Sequence, residues 1–246
     1  MVGLVHSIET FSTLDGPGIR TVIFLQGCHL RCQYCQNPDT WDSKAATARE
    51  YSFDEIMQLI RRSLPYINAS GGGVTFSGGE PFLQHDFIKE VFKECKKLKV
   101  HTAVDTSLYV STAKVEELLP YIDLVLADIK QMDPEKSCIL TGINNELNLA
   151  NLRIINRSQV EIWIRYVVVP GITDDEQDVT AMTDFVSGLE RVSRIDLLPY
   201  HTLGKHKWSL LGLDYKLENI SPPEPVRLKQ LQDIVKAKTN KPVFIS

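Results

Sequence analysis

Short apolar runs that read as strands alternate with amphipathic stretches that read as helices along most of this chain. The runs fall at residues 21–26 (TVIFLQ), 73–76, 100–104, 124–127, 161–169 (EIWIRYVVV) and 194–198, and 242–245 reads as a last short strand. Between them, Ser52-Phe53-Asp54-Glu55 has the form of a capping box opening a helix to residue 64, with Ile56, Leu59 and Ile60 on one face. Residues 86–98 place Phe87, Val91, Cys95 and Leu98 at helical spacing, which makes Cys95 a packed core thiol rather than a ligand. Helices also follow at 112–119 and 146–155. A second capping box is expected at Thr173-Asp174-Asp175-Glu176, with Val179, Met182, Phe185 and Val186 inward. Ser221-Pro222-Pro223-Glu224 starts the last helix, with Leu228, Leu231 and Ile234 facing the core.

Strands separated by helices imply parallel pairing through right-handed crossovers. Six such units are fewer than the eight of a closed barrel. The alternation fits an open barrel and a flat doubly wound sheet equally well. A length of 246 residues, 43% of them hydrophobic, suits one α/β domain spanning 1–246. A net charge of −4 gives no electrostatic case for nucleic acid. The start of the chain lacks a basic region followed by an apolar run, so no signal peptide is expected. No apolar run approaches the roughly 18 residues of a membrane span. Three of the five cysteines are clustered, which points to a reducing, cytoplasmic setting and a metal site rather than a disulfide framework.

That cluster is Cys28-His29-Leu30-Arg31-Cys32-Gln33-Tyr34-Cys35, spaced C-x3-C-x2-C. Structural zinc and iron–sulfur cubes usually take four protein ligands, so three thiolates leave one metal position open. A zinc knuckle completed by His29 or a distant His is the alternative. Other unusual residues fall where strands end, the ligand-binding side of parallel α/β folds. Ser77-Gly78-Gly79-Glu80, Asp105-Thr106, Asp128-Ile129-Lys130 and Tyr200-His201 each follow a strand, and Arg165 shares a strand face with Trp163 and Val167. Asp105 and Asp128 also fit ordinary strand-end caps. The glycines from Gly71 to Gly79 also fit tight turns, and no Gly-Lys-Ser/Thr follows to make a phosphate loop. Lys205-His206-Lys207-Trp208 reads as a solvated loop or as a docking patch.

The cysteine spacing, with aromatic Tyr34 before the last Cys, resembles the cluster motif of the radical S-adenosylmethionine enzymes. Asp15-Gly16-Pro17-Gly18-Ile19-Arg20, Ser77-Gly78-Gly79-Glu80, Leu197-Leu198-Pro199-Tyr200-His201 and Gly204-Lys205-His206-Lys207-Trp208 extend the resemblance to the glycyl-radical-enzyme activases, those acting on pyruvate formate-lyase in particular. Activases of other enzymes often carry a cysteine-rich insertion after the first motif. Here no cysteine lies between Asn37 and Gly73.

The resemblance implies a partial (β/α)6 TIM-like barrel open on one side. It implies a [4Fe–4S] cluster on Cys28, Cys32 and Cys35, with S-adenosylmethionine on the open iron. Cofactor contacts would come from Tyr34, Gln36, Asn37, Gly78, Gly79, Glu80, Asp105, Asp128, Ile129, Lys130, Arg165 and His201, the Gly-Gly-Glu loop meeting the methionyl ammonium. A monovalent cation would sit near Asp105, Thr106 and Asp128. Leu108 stands where those enzymes are expected to carry Gly. Asp15 and Gly16 would receive the glycine loop of the partner, pyruvate formate-lyase, although Asp15 also fits a cap on its own turn. A flavodoxin or ferredoxin-type reductant is implied, as is a monomeric activase.

Overall fold

In the computed structural model, which describes residues 1–43 and 48–246, one nine-stranded sheet forms the frame. Its parallel strands are β2 (Arg20–Leu25), β4 (Gly73–Gly78), β5 (His101–Thr106), β6 (Leu124–Asp128), β7 (Glu161–Val168), β8 (Val192–Pro199) and β9 (Val243–Ile245). Helices α1 (Phe53–Ser70), α2 (His85–Lys97), α3 (Thr112–Leu118), α4 (Pro134–Thr141), α5 (Glu146–Asn156), α6 (Glu176–Ser187), α7 (Lys205–Leu210) and α8 (Pro225–Lys238) lie between them in sequence.

Two strands escaped the sequence reading. β1 (Val2–Ser12) and β3 (Arg49–Ser52) pair antiparallel with each other, and β1 also pairs antiparallel with β2. They extend one edge of the parallel set, where an exposed edge strand carries few buried side chains to betray it.

Spatial order decides the architecture that alternation left open. From β2 to β9 the parallel strands lie in sequence order, with no reversal. A doubly wound sheet reverses at a switch point, which sends helices to both faces. Uniform right-handed crossovers instead keep every helix on one face and curl the sheet. The outer strands β3 and β9 do not pair, so the barrel stays open. One apolar core fills the space under the helices. Ile23 and Leu25, Val74 and Phe76, Ile162, Ile164, Tyr166 and Val168 meet Ile56, Ile60, Phe87, Val91 and Cys95 there.

Local chemistry sets several helix ends. Ser52 caps α1, with Glu55 returning to the Ser52 backbone, as the capping box required. The helix runs past Pro65 to Ser70, six residues beyond the expected end at 64, and stops at Gly71 with φ +67°. The second capping box is corrected: Asp175, not Thr173, caps α6. The Thr173 hydroxyl is already committed, accepting from Val169 N at 2.7 Å and donating to Val167 O at 2.6 Å. Glu224 precedes α8, with Pro225 at its first position. No described helix is long and apolar enough to cross a membrane.

Candidate functional site

The concave face of the sheet encloses a cavity of about 320 Å³ at the C-terminal ends of the parallel strands. Cys28, Cys32 and Cys35 line one side of it. Their loop is held from two directions. The end of α4 accepts Arg31 N (Thr141 O, 2.7 Å) and Gln33 N (Leu140 O, 2.9 Å). The region of α7 takes hold of the exit: Gln36 Nε2 donates to His201 O at 2.8 Å, and Gly204 N donates to Gln36 Oε1 at 2.6 Å. A Cβ on Gly204 would lie 2.4 Å from Gln36 O, so glycine permits this approach. Lys207 Nζ reaches Asn37 Oδ1 at 2.8 Å and Asp39 Oδ2 at 3.0 Å. The Lys205–Trp208 run opens α7 rather than a loop: Lys207 is spent on Asp39 and Trp208 is buried, while His206 stays exposed.

Burial pushes the Cys28 and Cys32 thiols up to about 12 and raises Cys35 as well, so bare thiolates are disfavoured and a cationic centre is what would ionise them. Tetrahedral Zn–S bonds of about 2.3 Å would put the sulfurs about 3.8 Å apart. Among the described residues, the only metal-capable group with all ligand atoms within 4.8 Å is His85, Asp86 and Glu117. The three cysteine sulfurs therefore do not all lie within 4.8 Å of one another, a wider spread than a single zinc ion requires.

Other lining residues are charged. Arg165 Nη1 lies 2.9 Å from Asp105 Oδ2, and Ser77 Oγ donates to the same oxygen at 2.8 Å. Burial raises the Asp105 pKa in spite of Arg165. Lys130 Nζ donates to Asp128 Oδ2 at 2.8 Å; burial opposes the ammonium, but Asp128, Tyr34 and Cys32 together outweigh it and drive the lysine pKa well up. Tyr34 Oη and Asp105 Oδ1 are buried without a hydrogen-bond partner. Each such orphan costs about 1–3 kcal/mol, so two beside one cavity mark a surface suited to a polar ligand.

Most of the residues expected at this site line the cavity: the three cysteines, Tyr34, Gln36, Asn37, Gly78, Gly79, Asp105, Thr106, Asp128, Lys130, Arg165, His201 and Asp15. Three do not. Glu80 is buried beneath the Gly-Gly loop, where Thr106 Oγ1 (2.7 Å), Ser107 N (3.0 Å), Ser107 Oγ and Phe82 N (3.2 Å) all donate to it. Its carboxylate is consumed in tying that loop to the turn after β5. Ile129 packs in the core, its amide bonded to Arg165 O. Gly16 lies off the lining while Asp15 is on it. Thr106 Oγ1 is also committed, donating to Glu80 and accepting from Leu108 N.

Gly79 is needed for packing within the protein. A Cβ there would meet Gly27 O at 2.1 Å, so the glycine lets the loop after β4 lie on the loop after β2. Asp15 reaches the cavity because its turn is anchored against the sheet. Thr75 Oγ1 donates to Asp15 O at 2.8 Å, and Arg20 donates to Thr75 Oγ1 at 2.6 Å and to Pro17 O at 3.0 Å. Burial draws the Arg20 pKa down to about 10. Ser12 Oγ donates to Asp15 Oδ2 at 2.6 Å. Ser77, named in the sequence only as part of the Gly-Gly-Glu motif, orients Asp105, and Trp208, named only as part of the late motif, donates to Cys35 O at 2.9 Å; Trp41, which packs in the same cluster, was missed. Trp41 stands outside every motif and carries no spacing signal; only its closeness to the cysteine loop hinted at it.

The sequence profile of the radical SAM superfamily matches residues 22–182. The pyruvate formate-lyase-activating enzyme of Staphylococcus epidermidis is 44% identical over 234 residues, covering 93% of each chain. The pyruvate formate-lyase 1-activating enzyme of Escherichia coli K12 is 41% identical over 246 residues, covering 99% of each. A crystal structure of a domain of pyruvate-formate lyase-activating enzyme from Bacteroides vulgatus superposes with a TM-score of 0.60 at 29% identity, covering 71% of this chain and 99% of that one. Streptococcus suis SuiB bound to precursor peptide SuiA shares the fold, with a TM-score of 0.69 at 18% identity over 97% of this chain and 50% of that one. The chain belongs to the radical SAM superfamily and, within it, to the family of pyruvate formate-lyase-activating enzymes.

Proposed function

We propose that this chain activates pyruvate formate-lyase by generating a glycyl radical on it, using a [4Fe–4S] cluster and S-adenosylmethionine. The observation that carries this is 41–44% identity along nearly the full length to enzymes of that name. When bound, the two cofactors supply reductive cleavage of the sulfonium to a 5′-deoxyadenosyl radical, which takes hydrogen from a glycine of the lyase.

Cys28, Cys32 and Cys35 hold the cluster in this reading. Cys32 is buried and Cys28 and Cys35 are half-buried, all three lining the cavity, which limits the access of water to them. Arg165 and Lys130 on one hand, and Asp105 and Asp128 on the other, offer both signs of charge to a zwitterionic amino-acid end. The Gly78-Gly79 backbone, rather than the Glu80 carboxylate, meets the ammonium. Tyr34 Oη has a free donor. Gln36, Asn37 and His201 shape the rim, and Ile129 supports it from the core. Asp105 Oδ1, unpartnered, with Asp128 and Thr106, is the place for a monovalent cation. Asp15, with Gly16 behind it, receives the glycine loop of the lyase. A flavodoxin or ferredoxin-type protein supplies the electron to a monomeric activase in the cytoplasm, where free cysteines stay reduced.

Anaerobic incubation with pyruvate formate-lyase, a reductant and S-adenosylmethionine, read by electron paramagnetic resonance, tests the proposal. A glycyl radical signal that requires all four components is expected. An iron-loaded protein that cleaves S-adenosylmethionine yet leaves the lyase without a radical would overturn the substrate assignment.

A further inference from the structure

The turn that carries Asp15 is mounted on a buried guanidinium. Arg20 is fully buried, and its hydrogen bonds go to neutral groups. Nη1 donates to Pro17 O at 3.0 Å, and Nη2 donates to Val74 O at 2.8 Å and lies 3.3 Å from His101 Nδ1. Nε donates to Thr75 Oγ1 at 2.6 Å. Arginine only donates, so the Thr75 oxygen is the acceptor there and its own hydrogen turns to Asp15 O, 2.8 Å away. Gly16 lies over the guanidinium with φ +125°, and a Cβ there would stand 3.0 Å from Arg20 Nε. Ser12 pairs with Arg20 across β1 and β2, is buried, and donates to Asp15 Oδ2 at 2.6 Å. Leu14 N donates to Ser12 Oγ at 3.3 Å, which leaves the hydroxyl hydrogen for the carboxylate. Asp15 is thus held at its carbonyl by Thr75 and at one carboxylate oxygen by Ser12. The other oxygen, Oδ1, is left to whatever enters the cavity that Asp15 lines.

We propose that Ser12 and Thr75 are positioning residues for recognition of the lyase: they pre-set the Asp15 carboxylate so that Oδ1 accepts a backbone N–H of the incoming glycine loop. The inference rests on the reception of that loop at Asp15 proposed above. A carboxylate on a loose turn is ordered only when its partner arrives, which weakens binding; here the ordering is completed on folding. The direction of the hydrogen bonds separates this role from packing. Packing at position 75 needs the shape of the side chain, whereas the path from Arg20 to Asp15 needs its hydroxyl as acceptor and donor at once. A glycine segment presents N–H groups that no side chain shields, which suits a single fixed acceptor.

The test is an anaerobic titration of the iron-reconstituted protein, with S-adenosylmethionine present, by a synthetic peptide of the lyase's glycine loop. S12A, T75V, T75S and D15N are compared with the wild type, and the affinity for S-adenosylmethionine is measured on each. S12A and T75V each weaken the peptide about three- to tenfold, the cost of ordering one side chain on binding. Their affinity for S-adenosylmethionine stays within about twofold of the wild type, as a local effect on Asp15 requires. T75S keeps the hydroxyl and binds the peptide as the wild type does. Wild-type peptide affinity in both S12A and T75V, with D15N impaired, overturns the inference and leaves Asp15 in the site. A D15N that binds as tightly as the wild type removes Asp15 from the site, and the inference with it. A wild type that binds no peptide overturns the lyase assignment instead. A T75S as weak as T75V, or a T75V that loses peptide and S-adenosylmethionine alike, reduces Thr75 to packing. Should T75V fail to fold, S12A decides, and wild-type peptide affinity there refutes the proposal.

Discussion

Leu108 occupies a backbone conformation that glycine adopts freely: its φ is +59° and its side chain is fully buried. The turn keeps its shape because its polar groups are taken. Leu108 N donates to Thr106 Oγ1 at 2.9 Å, and Asn151 Nδ2 donates to Leu108 O at 2.9 Å. The left-handed conformation costs an L-residue about 1–2 kcal/mol, while losing a buried leucine to alanine costs about 2.7–5 kcal/mol. Packing therefore wins, and L108A and L108G are both destabilised. The order between them is the informative part: L108G is more stable than L108A by about 1 kcal/mol in urea unfolding, the reverse of the usual order. An L108A that is the more stable would show that the turn is not held left-handed. The cysteines divide just as sharply. Single serine variants of Cys28, Cys32 and Cys35 lose iron on reconstitution, whereas C95A and C138S keep it, because Cys95 packs in the core against the helices and Cys138 is exposed on α4. Full iron in C32S would remove it from the ligand set.

At the scale of elements, α7 is the piece that couples the late chain to the cysteine loop. Its Lys207 meets Asp39, which also accepts from His6 Nε2 at 2.9 Å on β1. Burial pushes the Asp39 pKa up, but the Lys207 and His6 hydrogen bonds outweigh it and hold the carboxyl below its ordinary value. Since the folded value lies below the unfolded one of about 3.9, the stabilisation is fully present above about pH 4 and is lost as pH falls through the folded value. D39N removes it at neutral pH, at a cost of about 1–2 kcal/mol. The melting-temperature gap between wild type and D39N should be steady from pH 6 down to about pH 5 and shrink below about pH 4. A gap independent of pH in acid would mean that Asp39 acts through its shape alone.

Among the described residues, the molecule is a curled sheet whose two outer strands, β3 and β9, each pair on one side only, with β1 and β8. Strands β4 to β7 each have a neighbour on both sides and a helix layer beneath. Local opening should follow that order. Hydrogen exchange is expected to be slowest in β4–β7 and fastest in β3 and β9. Loading the cluster should slow exchange in the cysteine loop and at α7 together, because Gln36, Asn37 and Trp208 join them. Slowing confined to the cysteine loop would show that α7 is not part of the same unit.

The alternation of apolar runs and amphipathic helices by itself determined the β/α succession, and C-x3-C-x2-C by itself marked where the chemistry belongs, because both are written in local spacing. Ser52 and Glu55 were legible as a cap for the same reason, being three residues apart. Thr173 was misread because its hydroxyl turns back to the end of β7 instead of onto the helix, a choice among local partners that spacing does not record. Tertiary structure alone decided that the strands follow in order and curl, that Glu80 faces inward to the turn after β5, and that Gln36 and Asn37 are tied to α7. Those contacts join residues as far apart as Asn37 and Lys207, 170 positions along the chain. Periodicity fixes which face of an element is apolar; the partner a polar side chain meets across the fold depends on how the elements dock.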